Sequence, residues 1–476
     1  MALYDRPRDP QLCELTLAAV HAANTRVKAL EDENRYIGSY FNFPHFRRFD
    51  NGFPNISDIG SNPINYREAF ALRPGEFTRI AYRDVPELAA VIDYVLAQPD
   101  LRARIVGDTP GGSALSADDD YAEIGAAFLP LKILDRARHL NGADPVPTLL
   151  QELYLEREAP IFEEQLPVEI VVPIILTRFT EEDRIEIAPS IFLEEMDEPT
   201  QLARCYDRSI GYKNVHRVVV EAATHAFVFT DYHVNRSYAW FCNRPSYFPT
   251  DRIDTVFTAL ELVSDVPTGY AQILLRPLGW ADDWKADLPP LSSGVTVRRY
   301  PPAFEDGGWL RETEAIPVEL LSRFGTAFQR LNVANKAVQL AARRLNSAML
   351  RDRDDDMLID LCIGLEALFG DRQGEIVHKL ALRVAAMTAL ADPTIPLTPP
   401  DAFRAMKQIY DYRSRLVHGD VGPERRVFTS ETGVEHDKVA LATTFLRGAL
   451  AALLQHPEFL QPGAIEEKLL SWRLDG

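Results

Sequence analysis

The sequence predicts an α+β multidomain protein, a mixed α/β and strand-rich N-terminal region followed by an all-α helical bundle. Three observations predict it. A chain of 476 residues is longer than one hydrophobic core usually fills, so two or three domains are expected. From about residue 166 the apolar period shortens from that of helices to that of strands. After about residue 310 it returns to the helical period and stays there. These changes divide the chain into a mixed helical and loop region at 1–165, a strand-rich domain at 166–310 and an all-helical domain at 311–476.

In the first region, 85–104 carries apolar residues at Leu88, Val91, Ile92 and Val95, the stripe of a helix facing a core. Two more helices are expected near 128–140 and 147–164. The aromatic, Gly- and Asn-rich stretch at 40–66 reads as ordered loop, because it is too aromatic for a linker. In the second region VEIVVPIILTRF, RIEIAPSIFLEEM, HRVVVEAATHAFVFTDYHV, YAQILLRPLGW and VTVRRYPP are rich in Val and Ile and read as strands of a mainly antiparallel sheet. HRVVVEAATHAFVFTDYHV is expected to supply two of them. Pro173, Pro189 and Pro277 push their strands toward edges or bulges. In the third region six helices are expected, at 318–330, 331–350, 355–369, 375–391, 401–418 and 437–454. Gly370, the Pro-rich DPTIPLTPP, Gly419 and Pro457 supply the stops.

No apolar run approaches the roughly 18 to 20 residues of a membrane span, and the N-terminus lacks the pattern of an export signal. The expectation is a cytoplasmic protein with no membrane partner. Cys13, Cys205, Cys242 and Cys362 are far apart with no CxxC spacing, so buried thiols are expected rather than disulfides or zinc ligands. A net charge of −19 opposes general adhesion to nucleic acid, so any such contact must be local.

The segment AFRAMKQIYDYRSRLVHG carries the candidate chemistry. Phe403, Met406, Ile409, Tyr410 and Val417 form an apolar stripe, with Arg413, Ser414 and His418 largely off it. Gly419 suits the left-handed residue that ends a helix, which places His418 in the last turn. There the negative end of the helix dipole favours the imidazolium, a proton donor or acceptor near neutral pH. Arg413 and His418 are five apart, about 140° around an ideal helix. Arg415 is the direct helical neighbour of His418.

Arg413, four residues and His418, followed by glycine at a helix end, resembles the signature of the HEPN superfamily. Tyr410-Asp-Tyr-Arg-Ser-Arg-Leu-Val-His-Gly419 is most similar to its ApeA-like group. An upstream block, Asp356 to Gly370 and then Glu375 to Arg383, resembles that group's earlier helices. The likeness covers about 315–455. It implies a helical bundle that forms a homodimer or higher homo-oligomer, and metal-independent endonucleolytic cleavage of RNA without a cofactor. It further implies that His418 moves a proton at the ribose 2′-hydroxyl or the leaving oxygen, that Arg413 stabilises phosphate charge, and that Ser414 fills the polar position after the arginine. A Ser there departs from the Asn, Asp or His of the wider superfamily and fits the ApeA-like group. The resemblance places the protein among regulated, toxin-like effectors of prokaryotic antiviral defence by abortive infection, with a phage-derived trigger sensed by the N-terminal region. Two readings of other classes stand beside it: a non-catalytic HEPN module for dimerisation or nucleotide binding, and a strand-rich region that is itself the ligand-binding part.

Glu366 lies in the apolar helix LIDLCIGLEALFG, where a carboxylate is costly unless paired. Arg383 or Arg413 is its expected partner, and an ion pair that orients the bundle outweighs a part in the chemistry. Asp356 and Asp360 read as structural. His216, His225, Asp231 and His233 do not make a convincing metal set, because strand alternation places only Asp231 and His233 together. RDRDDDM at 351–357 lacks calcium-loop spacing. TPGGSALS at 109–116 lacks the GKS or GKT ending of a phosphate loop.

Overall fold

A computed structural model describes residues 2–73, 79–106, 119–180, 183–206, 215–235, 248–370, 376–390, 397–419 and 426–471. It is α+β, as expected. Contacts divide the chain into two compact units. The first holds 1–173, 190–248 and 271–297, and the second 174–189, 249–270 and 298–476. This differs from the expected divisions at 165 and 310.

In the first unit, α1 (Pro10–Asp32), α2 (Pro86–Leu96), α3 (Pro99–Val106), α4 (Asp119–Asn141) and α5 (Pro147–Phe162) surround one apolar core. Asp9 caps α1 by accepting the Leu12 amide at 3.0 Å. The expected stripe of Leu88, Val91, Ile92 and Val95 is fully buried on α2. The helix expected over 85–104 is two helices, because Pro99 opens a new one. Ala281 and Trp284 belong to this same core, which is why the residues before 166 and those near 280 form one unit. The 40–66 stretch expected as loop contains the antiparallel hairpin β1 (His45–Arg48) and β2 (Pro54–Ser57). Farther on, β3 (Phe70–Ala71) and β4 (Ile80–Ala81) pair in parallel.

The unit's sheet contains β5 (Gln165–Pro173), β8 (Ile191–Glu195), β9 (His225–Asn235), β10 (Tyr270–Pro277) and β11 (Ser292–Arg299), in the order β11-β10-β5-β9-β8. Pairing of β5 with β9 and β10, and of β8 with β9, is antiparallel. The prolines expected to push strands to the edge act differently on β5. It is central, and Pro173 is simply its last residue. Its register against β9 shifts between Val168 and Ile170. Of the two strands expected from HRVVVEAATHAFVFTDYHV, the first is instead a helix, α7 (Arg217–Glu221), which follows α6 (Glu198–Tyr206). Beneath it lies Arg204, 1% exposed. Its guanidinium donates to Val220 O and Gln272 Oε1 at 2.9 Å, to Glu221 O at 2.6 Å and to Gln201 Oε1 at 2.7 Å.

The second unit is mainly helical. It comprises α8 (Thr250–Ser264), α9 (Glu319–Val333), α10 (Lys336–Met349), α11 (Asp354–Phe369), α12 (Ile376–Leu390), α13 (Pro399–His418), α14 (Lys438–Gln455) and α15 (Pro462–Ser471). Six of these stand within a few residues of the expected helices. The other two are α15 and α8, the latter in the segment read as strand-rich, where it packs on α9 and α10. Short strands β6 (Arg178–Phe179) and β12 (Ala315–Ile316) pair in parallel, and β13 (Val427–Thr429) with β14 (Glu435–Asp437) makes a hairpin before α14. Gly325 lets α9 meet β7 (Ile185–Ala188): a Cβ there would run into the Ile187 carbonyl oxygen. Since backbone must move to accept it, Gly325→Ala is expected to cost about 1–3 kcal/mol, read as a lower urea midpoint at unchanged m-value. An unchanged midpoint would show that this approach is looser than the geometry indicates.

Cys13, Cys205 and Cys362 are buried free thiols, and Cys242 lies outside the described residues, as does the 109–116 glycine stretch. Among the described residues no helix is long and apolar enough to cross a membrane.

Candidate functional site

Helix α13 begins and ends as its sequence dictates. Thr398 accepts the Asp401 amide at 3.3 Å, Pro399 and Pro400 occupy the first turn, and Gly419 closes the helix at φ +73°. The Gly419 amide donates to Leu416 O at 3.1 Å. Asp401 is buried in the first turn, where it accepts the Glu431 amide at 3.1 Å and meets Arg404. This anchors the start of α13 to the β13–β14 hairpin.

The buried face of α13 is Ala402, Ala405, Met406, Ile409 and Tyr412. One member of the expected stripe gives way to a residue outside it. Val417 is 57% exposed, and Tyr412 is buried in its stead, with the Lys438 ammonium 5.7 Å from its ring centre. The stripe turns because α13 packs against α12, α11 and α14 at once, and its last turn runs past them into solvent.

Arg413 is half-buried. Its guanidinium carbon stands 5.7 Å from the Tyr410 ring centre, one helical turn back. Cys362 of α11 is close to the same charge. Burial pushes its thiol up to about 12, with the Arg413 cation opposing and the Glu366 carboxylate adding to the rise. Tyr410 is likewise raised, by burial first and then by the adjacent Glu366, again with Arg413 opposing. Glu366, Cys362, Tyr410 and Arg413 therefore form one local cluster on α11 and α13. Among the described residues Arg413 makes no hydrogen bond and no ion pair, and its Nε is buried without a partner.

The other expected residues are placed as follows. His418 is exposed at the helix end, and Ser414 is half-buried between it and Arg413 in sequence. No hydrogen bond joins Arg413, Ser414 and His418 among the described residues; on an ideal helix the arginine and histidine are about 140° apart around the axis and roughly 7.5 Å apart along it. Arg415 pairs with Asp411 at 2.9 Å on the helix surface. Arg383 is 3% exposed and turned elsewhere, donating to Phe369 O at 2.6 Å and pairing with Glu466 at 2.8 Å. Of the two partners expected for Glu366, the geometry thus favours the neighbourhood of Arg413, through Tyr410, over Arg383. Asp360 has the structural role expected of it, buried between Arg344 at 2.6 Å and Arg351 at 2.8 Å.

Tyr410 is the member whose part sequence reading missed, since it was counted as core. Its three-residue spacing from Arg413 was the available signal. Chemically, a half-buried guanidinium that makes no ion pair among the described residues can receive an anion, and a planar fork of donors matches phosphate oxygens. The exposed imidazole supplies a proton-transfer group on the same helix. Among the described residues no three His, Cys, Asp or Glu side chains gather as a metal site. No protein-family model, curated protein or solved structure matches the chain.

Proposed function

We propose that the chain is a metal-independent endoribonuclease of HEPN type, a regulated toxin-like effector of prokaryotic antiviral defence whose first unit senses a trigger or restrains the helical unit. The observation that carries this reading is the Arg413 guanidinium, half-buried beside Tyr410, which makes no ion pair among the described residues and whose Nε has no hydrogen-bond partner there. In the proposed reaction the ribose 2′-oxygen attacks the adjacent phosphorus. The P–O5′ bond breaks, and the products are a 2′,3′-cyclic phosphate and a 5′-hydroxyl. His418 takes the 2′ proton or gives one to the leaving O5′, while Arg413 meets the charge that builds on the non-bridging oxygens. A second copy of the chain would complete the site, because one helix turns the two side chains apart.

The test is RNA incubated with the chain in excess EDTA. Cleavage with cyclic-phosphate ends is expected. Cleavage that stops with EDTA and returns with Mg²⁺ would overturn the metal-independent mechanism. The non-catalytic alternative, a module for dimerisation or nucleotide binding, has its own supporting observation in the exposed pair Val417 and His418 at the helix end. A chain that dimerises and binds nucleotide, with every RNA left intact, would favour it.

A further inference from the structure

Residues 34–49 of this acidic chain contain no Asp or Glu, three arginines (Arg35, Arg47, Arg48) and six aromatic residues in sixteen. The structure lays this segment antiparallel against 54–65 in two places, an isolated bridge from Ser39 to Ile64 and the β1–β2 hairpin, with a turn at 41–42 between them. Asn65 donates to Gly38 O at 2.8 Å, Tyr40 to Pro63 O at 2.9 Å and Phe43 to Asn62 Oδ1 at 3.1 Å; the β1–β2 register then runs from His45 opposite Ser57 to Arg48 opposite Pro54. Its side chains divide by face. Ile37, Tyr40 and Phe43 are buried, the last two packing with Ala286 and Leu288. Tyr36 is 81% exposed and Phe41 74%, with Ile59 and Ile64 exposed on the paired segment.

Single exposed apolar residues need no explanation, but two exposed aromatics in one short segment with three arginines make a particular chemistry. Arg47 and Arg48 are both exposed, and Arg48 stands 5.2 Å from the Phe46 ring centre. Three of the neighbouring acids are paired with arginines: Asp58 is held by Arg217 at 2.7 Å, Glu68 pairs with Arg79, and Glu33 lies 3.6 Å from Arg35, while Asp50 stands exposed at the turn of the hairpin. Aromatic faces that can stack bases, next to cations that can meet phosphates, are what sequence-tolerant binding of single strands requires. Rigid placement also lowers the ordering cost of binding.

We infer that this segment, Tyr36 and Phe41 with Arg35, Arg47 and Arg48, binds single-stranded RNA. Bases stack on the two aromatic faces and the arginines contact the flanking phosphates. A duplex fits poorly, since its base faces are already stacked. Three phosphate contacts give a slope of log K against log salt of about −2, so affinity falls by about 15- to 20-fold between 50 and 200 mM salt.

The test uses the full chain carrying His418→Ala, so that binding is read without cleavage and failure of the nuclease reading leaves this result intact. Fluorescence anisotropy with a labelled 15-nucleotide oligouridine is expected to show binding with that slope, and a 15-base-pair RNA duplex is expected to bind at least tenfold more weakly. Tyr36→Ala with Phe41→Ala is expected to lower affinity tenfold or more. Arg47→Ala with Arg48→Ala is expected to flatten the slope from about −2 to about −0.7, one remaining phosphate contact. All four side chains point outward, and an unchanged thermal midpoint verifies that the variants fold. No binding at 50 mM salt, or equal binding by the aromatic double variant, overturns the inference. Absence of RNA binding together with self-association that the aromatic variant abolishes, seen by sedimentation, would overturn it in favour of a protein-binding surface.

Discussion

Replacing His418 by alanine is expected to lower RNA cleavage by about two to four orders of magnitude, the usual contribution of a positioned acid–base group. The side chain is exposed at the end of α13, so its loss leaves the core unchanged and the unfolding midpoint unmoved. Arg413→Ala is expected to lower cleavage by about 10²- to 10³-fold through lost stabilisation of phosphate charge. Arg413→Lys keeps the charge but replaces the planar fork with a compact ammonium, and is expected to recover only a small part of the rate. Because the helix turns the two side chains apart, mixing the two inactive alanine variants is expected to restore part of the activity by pairing an intact arginine with an intact histidine. The readout is the rate of cyclic-phosphate formation on one RNA at saturating enzyme. Variants as active as the parent chain would remove both residues from the chemistry.

The largest effect on stability is expected from Arg204→Met, about 3–5 kcal/mol against the first unit. The guanidinium is 1% exposed and is the donor for the carbonyl oxygens of Val220 and Glu221 and the side-chain oxygens of Gln201 and Gln272. Methionine fills similar space but donates nothing. Several buried acceptors would then lack a partner, and each such group costs about 1–3 kcal/mol. The check is a urea unfolding curve. A variant within about 1 kcal/mol of the parent chain would mean that water replaces the arginine in the cage.

The sequence determined the local elements wherever the signal was local. The six helices expected in the last third follow from 3.6-residue periodicity punctuated by Gly370, DPTIPLTPP and Gly419, and they stand within a few residues of those limits. Gly419 adopts the left-handed backbone its position implied, because only the absence of a Cβ makes that conformation inexpensive. The placement of His418 in the last turn follows from the same signal.

Tertiary structure decided the rest. HRVVVE reads as a strand by its β-branched residues, yet it forms α7, where Arg204 fills the carbonyls of Val220 and Glu221; a partner 16 residues away in sequence overrode local preference. The grouping of 1–165 with residues near 280 depended on Ala281 and Trp284 entering the N-terminal core, a long-range burial that no periodicity encodes. At the candidate site, sequence named Arg413, Ser414, His418 and Glu366, whereas packing of α13 on α11 chose Tyr410 and Cys362 as the surroundings of the guanidinium and sent Arg383 to Glu466. Residue types and helix spacing are properties of the chain alone. Which charge lies next to which requires two helices to pack, and that choice is made by the core beneath them.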